Sequence, residues 1–208
     1  MTKALLVFAK APEPGESKTR LIPALGANKA AAAHEMLVLR TLDTITGLAG
    51  EGYDLSLWGA VAHPVLDRWA KQFGLPLCLQ AVGDLGQKMQ QGLASVLEAG
   101  ASQALLIGSD CPVMTTEYIR QASAALAASD LVLGPAEDGG YVLIGCKRAH
   151  SELFANITWG SDTVLAETLK RAEQLMLTVT VLGTMWDVDR PEDWVRFQRL
   201  ESESVGGD

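Results

Sequence analysis

A loop that gathers cations and prolines is the part of this sequence best suited to chemistry. It spans residues 8–21 and holds Lys10, Lys18 and Arg20 together with two prolines and one glycine. Cations gathered on a loop stiffened by proline repel one another unless an anion lies among them, and phosphate is the natural anion. The loop matches neither a Walker motif nor a dinucleotide-binding fingerprint. It therefore predicts a phosphate-binding loop of another kind, for which a solvated loop with idle lysines is the alternative.

The residues before this loop indicate where it lies. The apolar run of residues 4–8 predicts a buried strand, and an open α/β sheet binds anions at the carboxyl ends of its strands. We therefore predict a phosphate-binding set at that edge, and the resemblance described below implies that the phosphates are those of a nucleotide. The predicted members of this set are Lys10, Pro14, Gly15, Lys18, Arg20 and Asp84. Asp84 is also the expected N-cap of the helix that follows it.

Three acids follow predicted strands and should face the same edge of the sheet. Asp110 comes directly after the apolar run 103–108, whereas Asp187 and Asp189 come after the last predicted strand. Plain ion pairs with the loop cations are one interpretation. A shared Mg²⁺ or Mn²⁺ is the one we favour, since Mg²⁺ binds one or two carboxylates and fills its octahedron with phosphate oxygens and water. Which of Asp187 and Asp189 is a ligand stays open, because Asp189 is also placed to cap the helix that starts at Pro191.

The surroundings of Asp110 allow two further interpretations. An Asx turn before Pro112 is the structural alternative for Asp110 itself. No base accompanies Cys111, so we expect a small buried residue there and not a nucleophile. The chain has three cysteines without CxxC spacing, which makes disulfide and zinc frameworks unexpected.

Paired glycines mark the other candidate site. The sequence Asp138-Gly139-Gly140-Tyr141 would let a ligand lie against the backbone, and Asp138 is the candidate for a catalytic base on its position alone. Together with Trp159, the two glycines and the tyrosine are predicted to contact a sugar or an acceptor. A glycine turn between strands and ordinary packing of the tryptophan are the alternatives. No histidine has a motif around it, and none receives a role.

Composition limits the class of protein. The chain has 208 residues, of which 48% are hydrophobic and 6% aromatic, and its formal net charge is −8. This acidic balance argues against nucleic-acid binding. The partners that the resemblance described below implies are a nucleotide or nucleotide-sugar and a small-molecule acceptor, and a homodimer is left open. Only six apolar residues separate Lys3 from Lys10, too few for a signal peptide or a membrane span. A cytoplasmic protein is the expectation.

Strands and helices are predicted to alternate along the chain. The predicted strands cover residues 4–8, 54–58, 76–80, 103–108, 130–134, 141–145 and 177–182. The predicted helices cover residues 28–48, 64–73, 84–99, 115–128 and 161–175, with a last helix after Pro191. This alternation predicts one three-layer α/β/α domain over residues 1–201 with a mostly parallel mixed sheet, followed by a flexible tail over residues 202–208.

Four motifs taken in order resemble one known family. Residues 8–21, 108–112, 134–145 and 187–193 are similar to those of bacterial glycosyltransferase-like proteins described as radical-SAM/selenodomain-associated transferases. These belong to the nucleotide-diphospho-sugar transferase superfamily, which implies a Rossmann-like fold of the GT-A type. The resemblance spans nearly the whole chain. It implies that the first motif binds nucleotide phosphates and that Asp110 and one of the late acids bind a metal. One departure is that Asp110 stands alone, where many glycosyltransferases have an Asp-x-Asp pair.

Three functions follow from these motifs. The leading prediction is a metal-dependent glycosyltransferase that uses a nucleotide-sugar donor, with Asp110, Asp138 and Lys18 as its catalytic residues. A nucleotidyltransferase that joins an NTP to a sugar phosphate or phosphoacid needs the same cations and metal but no carboxylate base. A nucleotide-binding protein without turnover is the third, since no motif names an acceptor.

Overall fold

A computed structural model describes residues 2–205 of the chain. The strands in this part are β1 Lys3–Ala9, β2 Tyr53–Gly59, β3 Leu77–Leu79, β4 Gln103–Gly108, β5 Leu131–Pro135, β6 Tyr141–Cys146 and β7 Val179–Val181. They form one sheet in the order β3-β2-β1-β4-β6-β5-β7. Strand β6 runs antiparallel to β4 and β5, whereas the other paired strands are parallel.

Helices connect the strands and cover the sheet. They are α1 Ile22–Leu25, α2 Ala27–Thr46, α3 Pro64–Phe73, α4 Leu85–Glu98, α5 Thr116–Ala125, α6 Val164–Gln174 and α7 Pro191–Val205. Short 3₁₀ helices cover Thr19–Leu21 and Ser151–Phe154. No helix in the described part of the chain combines the length and apolar character that crossing a membrane requires.

Successive residues of β1 face two different cores. Leu5 and Val7 pack with side chains of α2, α3 and α5, whereas Leu6 and Phe8 pack with side chains of α4 and α6. A strand buried on both faces needs an apolar residue at every position, which is why its sequence is a continuous apolar run. The predicted three-layer α/β/α fold with a mixed, mostly parallel sheet is confirmed.

Most element boundaries lie within a few residues of the prediction, and the two largest differences are in the loop after β1 and at the end of the last helix. The two short helices between Thr19 and Leu25 were not predicted; the second contains Pro23 in its first turn and ends before Gly26. Helix α7 continues to Val205, so residues 202–205 of the expected flexible tail are helical. The remainder of that tail, residues 206–208, lies outside the described residues.

The register of the sheet brings several loops to one edge. Phe8 in β1 is level with Trp58 in β2 and with Gly108 in β4, so the segments that follow these three strands leave the sheet side by side. Because β6 runs in the opposite direction, its first residue, Tyr141, begins at this same edge. The edge is called the carboxyl edge below.

The loop between β5 and β6 is fixed by a contact that only glycine allows. Gly139 has a φ of +89°, and a β-carbon on it would lie 2.1 Å from the carbonyl oxygen of Asp162. Its own carbonyl oxygen accepts a hydrogen bond from the backbone N–H of Leu165 at 2.9 Å. The loop is therefore held against the segment that precedes α6.

This contact can be tested with two glycines of similar conformation. Gly160 has a φ of +83° and nothing within 4 Å of a β-carbon position, so Gly160→Ala should lower the free energy of unfolding by only about 1 kcal/mol. Gly139→Ala adds an overlap with backbone atoms and should lower it by at least twice as much. Urea unfolding measures both. Equal losses would show that the contact with Asp162 does not hold the loop.

Candidate active site

A buried lysine joins the two acidic segments of the site. The side chain of Lys18 is 5% exposed, and its Nζ lies 2.8 Å from Oδ2 of Asp110. The same Nζ donates a hydrogen bond to the carbonyl oxygen of Val188. The backbone N–H of Val188 in turn donates to the carbonyl oxygen of Asp110 at 2.9 Å. One cation thus ties the segment after β4 to the segment before α7.

This geometry gives Lys18 a role other than the predicted contact with a phosphate. Its ammonium group is buried and its partners are groups of the protein, so it positions Asp110. Its backbone has a φ of 49°, in the left-handed region that a non-glycine residue adopts only when its surroundings hold it there. The predicted convergence of Lys18 with Asp110 is observed, in the form of the plain ion pair that the sequence left as an alternative.

His34 is a site residue that the sequence motifs did not reveal. It lies on α2 with 1% exposure, and its Nε2 is 3.1 Å from the carbonyl oxygen of Lys10. A carbonyl oxygen only accepts hydrogen bonds, so Nε2 carries a proton in this contact. The other ring nitrogen, Nδ1, faces Oδ1 of Asp110 at 3.5 Å. The sequence feature that could have revealed His34 is its position on the alanine-rich buried face of a helix.

Opposing effects set the charge of Asp110. Burial raises the pKa of its carboxyl group, but the charge of Lys18 and the contact with His34 outweigh burial and hold that pKa well below the ordinary value. Asp110 is therefore an anion at neutral pH. Its side chain is 39% exposed as a whole, but its Oδ1 is buried and without a hydrogen-bond partner in the described residues.

Asp187 has the opposite electrostatic environment. Burial and the negative charge of Asp138 raise the pKa of Asp187 to about 6, and the charge of Lys18 offsets these effects only in part. The charge of Asp110 raises it further. Negative charge is therefore in excess around Asp187 at neutral pH, which is a favourable place for a bound cation.

The last acidic candidate, Asp189, pairs with a loop cation. Its carboxylate accepts a hydrogen bond from Arg20 at the surface of the protein. The capping role considered for Asp189 belongs to Asp193 instead, whose Oδ2 accepts from the backbone N–H groups of Asp189 at 3.1 Å and of Arg190 at 2.7 Å. Arg20 and Asp189 thus meet as predicted, but as an exposed ion pair.

Three cavities lie in a row along the carboxyl edge. The first, of about 390 Å³, is lined by Phe8, Ala9, Lys10, His34, Ala60, Gln80, Leu85, Lys88, Gly108, Ser109 and Asp110. The second, of about 180 Å³, lies between α4, the β5–β6 loop and residues 159–164. The third, of about 430 Å³, lies between Arg20, the β5–β6 loop and residues 186–193. The first two share Leu85, and the last two share Asp138 and Asp187.

The cavities separate the predicted ligand contacts into two groups. Lys10 lines the first cavity, and its Nζ donates to the carbonyl oxygen of Glu16 at 3.3 Å. Gly140, Tyr141 and Trp159 line the second cavity. Gly139 precedes Gly140 and contacts Asp162 in the segment before α6, as described above. The predicted sugar or acceptor residues are therefore brought together.

Other predicted nucleotide ligands lie elsewhere. Oδ1 of Asp84 accepts from the backbone N–H of Gln87 at 2.8 Å, and the Gln87 side chain accepts from the backbone N–H of Asp84 at 2.9 Å. Asp84 is thus the N-cap of α4, and its carboxylate is committed to that capping box. Pro14 and Gly15 lie in an exposed turn. Lys88, which the sequence motifs did not reveal, is the other cation of the first cavity.

Cys111 is a buried residue, as expected. Burial raises the pKa of its thiol to about 12, so the thiol stays protonated at neutral pH. Its Sγ lies 3.7 Å from Sδ of Met185.

The acidic residues fit a divalent cation that a ligand helps to hold. Within residues 2–205, no group of three or more His, Cys, Asp or Glu side chains is arranged to hold a metal ion. Two carboxylates suffice for Mg²⁺ when phosphate oxygens and water complete its coordination. Asp110 and Asp187 are close enough for their charges to interact, and the pKa of Asp187 is raised mainly by burial and further by the charges of Asp138 and Asp110, with Lys18 as a partial offset.

The fold is that of GT-A-like transferases, and sequence comparison identifies the family. A family model described as "Uncharacterized protein conserved in bacteria (DUF2064)" matches residues 41–161, more than half of the chain. The chain belongs to this family. Comparison with curated proteins gives no match.

Solved structures agree with the fold. A proposed nucleotide-diphospho-sugar transferase from Desulfovibrio desulfuricans G20 is 31% identical, with a TM-score of 0.82 over 91% of this chain and 84% of that chain. The 4-diphosphocytidyl-2C-methyl-D-erythritol synthase from Anaerococcus prevotii DSM 20548 is 13% identical, with a TM-score of 0.64 over 97% of this chain and 96% of that chain. Glucosyl-3-phosphoglycerate synthase from Mycobacterium tuberculosis, solved with Mn²⁺, UDP and glucosyl-3-phosphoglycerate, is 13% identical, with a TM-score of 0.58 over 95% and 76% of the chains.

These likenesses confirm the predicted GT-A-type fold. They also support the nucleotide-diphospho-sugar transferase superfamily named by the resemblance. These proteins are transferases, which is the predicted class of enzyme.

The two loop cations provide a matched test of the buried ion pair. Lys18→Met leaves Asp110 without its main partner and should lower the free energy of unfolding by roughly 2–4 kcal/mol at pH 7. Arg20→Met breaks an exposed pair and should lower it by less than about 1 kcal/mol. Chemical denaturation measures both variants. Similar losses would mean that Lys18 does not hold the two acidic segments together.

The loss of unfolding free energy in Lys18→Met should depend on pH. Because the pKa of Asp110 is lowered in the folded state, the pair stabilises the fold above the ordinary carboxyl pKa of about 4, and this contribution is lost as the pH falls further. The difference between Lys18→Met and the natural protein should therefore shrink below pH 4.

Asp187 should show the reverse dependence. Its pKa of about 6 lies above the ordinary value of about 4, so the folded state binds the proton more tightly and becomes less stable as the pH rises between these values. Asp187→Asn should therefore have a higher Tm than the natural protein at pH 7.5 and a similar one near pH 4. Asp162→Asn, an exposed acid of the same cavity, is the control and should change Tm little. A lower Tm for Asp187→Asn at pH 7.5 would contradict excess negative charge at this position.

Proposed function

We propose that this protein is a metal-dependent glycosyltransferase that uses a nucleotide-sugar donor. The row of three cavities along the carboxyl edge carries the proposal, because it offers adjoining places for a nucleotide, a sugar and an acceptor. The similarity to the proposed nucleotide-diphospho-sugar transferase from Desulfovibrio supports it. We also propose the more specific membership among the radical-SAM/selenodomain-associated transferases and a cytoplasmic location.

The nucleotide belongs in the first cavity. Lys10 and Lys88 place two positive charges on its wall, and neither has a carboxylate partner within the described residues. Charges fixed in advance around a leaving diphosphate are often the largest contribution to catalysis. Asp110 and Asp187 would hold the Mg²⁺ or Mn²⁺ ion, which neutralises charge on the diphosphate when bound.

The base of the reaction would be Asp138. Its Oδ1 accepts a hydrogen bond from the backbone N–H of Gly140 at 2.9 Å, which fixes the carboxylate and leaves the other oxygen available. Asp138 lies on the wall shared by the second and third cavities. From there it would take the proton of an acceptor hydroxyl in the third cavity while that oxygen bonds to the sugar carbon in the second and the nucleotide diphosphate leaves. A reaction that inverts the sugar needs such a base.

A nucleotidyltransferase is the second candidate. The similarity in fold to 4-diphosphocytidyl-2C-methyl-D-erythritol synthase and to a CMP-2-keto-3-deoxy-manno-octonic acid synthetase solved with CTP favours it. It would use the same cations and metal but would release pyrophosphate from an NTP, whereas glycosyl transfer releases a nucleoside diphosphate. A nucleotide-binding protein without turnover is the third candidate.

The proposal is tested first by nucleotide binding. Titration calorimetry with nucleoside diphosphates and Mg²⁺ should detect binding, and Lys10→Ala should weaken it by roughly 10- to 100-fold if the ammonium contacts a phosphate. Lys29→Ala, an exposed lysine of α2, is the control and should leave affinity unchanged. No binding of any nucleotide to the natural protein would dismiss all three candidates.

The released product then separates the two enzymes. Incubation with nucleotide-sugars should release a nucleoside diphosphate, and incubation with NTPs should release no pyrophosphate. The opposite pattern would replace the first candidate by the second. Asp110→Asn should abolish the metal-dependent turnover, because it removes a charged metal ligand.

A further inference from the structure

Strand β3 ends the sheet with an outer edge that has no strand beside it. Within residues 2–205 it pairs only with β2, to which the carbonyl oxygen of Pro76 and the backbone N–H of Gln80 are hydrogen-bonded at 2.9 Å. Backbone groups alternate in direction along a strand, so the N–H and C=O groups of Leu77 and Leu79 point away from β2. A free edge of this kind is a template for pairing with another strand.

This edge lacks the protection that free strand edges usually have. Natural proteins often place charged side chains on such an edge or cover it with another segment. Here no charged residue lies between Lys71 and Asp84, a run that contains all of β3. Four of the eight large hydrophobic side chains that are exposed in the described residues lie at or after the ends of β2 and β3. They are Val61, Leu79, Val82 and Leu85, with exposed fractions of 62%, 53%, 100% and 46%.

A second copy of β3 is a self-complementary occupant of this edge. If two copies of the strand run antiparallel about a two-fold axis at Cys78, Leu77 of one copy lies opposite Leu79 of the other. Each such pair exchanges both of its hydrogen bonds, so all the outward backbone groups of β3 find partners. This contact is closed at two copies, whereas pairing of β3 with the other edge strand, β7, of a second copy would lead to rings or fibres.

Charge complementarity favours β3 over β7 as the paired edge. In an antiparallel pair, the charged residue before the uncharged run of one copy comes nearest to the charged residue after the run of the other. At β3 these residues are Lys71 and Asp84, which have opposite charges and are both exposed. The run that contains β7 lies between Glu173 and Asp187, two acids that would repel each other.

We propose that two copies of this chain pair through β3 in antiparallel orientation, with Cys78 on the two-fold axis and Leu79 and Val82 in the contact. The two seven-stranded sheets then form one continuous sheet. This dimer does not depend on the reaction that the active site carries out.

Two matched substitutions on the two edge strands test the proposal. Leu79 in β3 and Val181 in β7 are 53% and 48% exposed, so a lysine at either position keeps its charge in water when the chain is a monomer. Sedimentation velocity at micromolar concentration should show a dimer for the natural protein and for Val181→Lys. Leu79→Lys should raise the dissociation constant by roughly 100-fold or more, because two ammonium groups lose water in the dimer. A monomeric natural protein, or an equal effect of the two variants, overturns the proposal.

A second variant keeps the test decisive if Leu79→Lys does not fold. Val82 is fully exposed, so Val82→Lys should retain the circular dichroism spectrum of the natural protein and should also dissociate the dimer. An intact dimer in folded Val82→Lys overturns the proposal.

Cysteine cross-linking tests the register of the pair. Opposite residues in a non-hydrogen-bonded antiparallel pair have Cα atoms about 4.5 Å apart, within the range of about 4.4–6.8 Å that a disulfide spans. Cys111 and Cys146 are buried, whereas Cys78 is half-buried. Oxidation with copper phenanthroline should therefore give a covalent dimer, and Cys78→Ser should stay a dimer that does not cross-link. A dimer in which Cys78 does not cross-link, or one that still cross-links after Cys78→Ser, overturns the pairing of β3 with β3.

Discussion

The site depends on the buried contact of Lys18 with Asp110 and Val188. Taking two charges out of water is costly, so a buried ion pair is weak evidence of a gain in stability. What this pair does is geometric: it ties the segment after β4 to the segment before α7 with one side chain. Because Asp187 directly precedes Val188, the distance between the two acids proposed as metal ligands is set by the same lysine.

The position of Lys18 also explains why two neighbouring acids differ so much. It lies against the carboxylate of Asp110, and together with His34 it outweighs burial there, so Asp110 stays ionised. At Asp187 it offsets only part of the effect of burial and of Asp138, and the pKa rises. One acid is thus held as an ion by a protein cation, whereas the other keeps a raised pKa. A site with both acids already paired would gain little from a metal, and a site with neither paired would repel itself.

The sequence allowed the fold and the approximate place of the site to be predicted, because both follow from local patterns. The apolar runs that form β1 and β4 need burial on both faces, and the residues after parallel strands meet at one edge. The burial of Lys18 could not be predicted, since it depends on Val188, far along the chain. His34 was missed for a similar reason, as its partners lie outside its helix. Asp84 is the opposite case. The capping box is a local sequence pattern, and the structure shows Asp84 in that capping box and not as a nucleotide ligand.

The reversed strand β6 is what makes a row of cavities possible. If β6 were parallel to β4, Tyr141 and the loop before it would lie at the opposite edge of the sheet. Running antiparallel, β6 brings Asp138 to the carboxyl edge, where Gly139 locks the loop against the segment before α6. The middle cavity lies beside this loop, and its lining includes Trp159, whose indole packs against Gly86 of α4. A carboxylate on a wall between two cavities can reach ligands in both, which is the placement that a base in a transfer between two bound molecules requires.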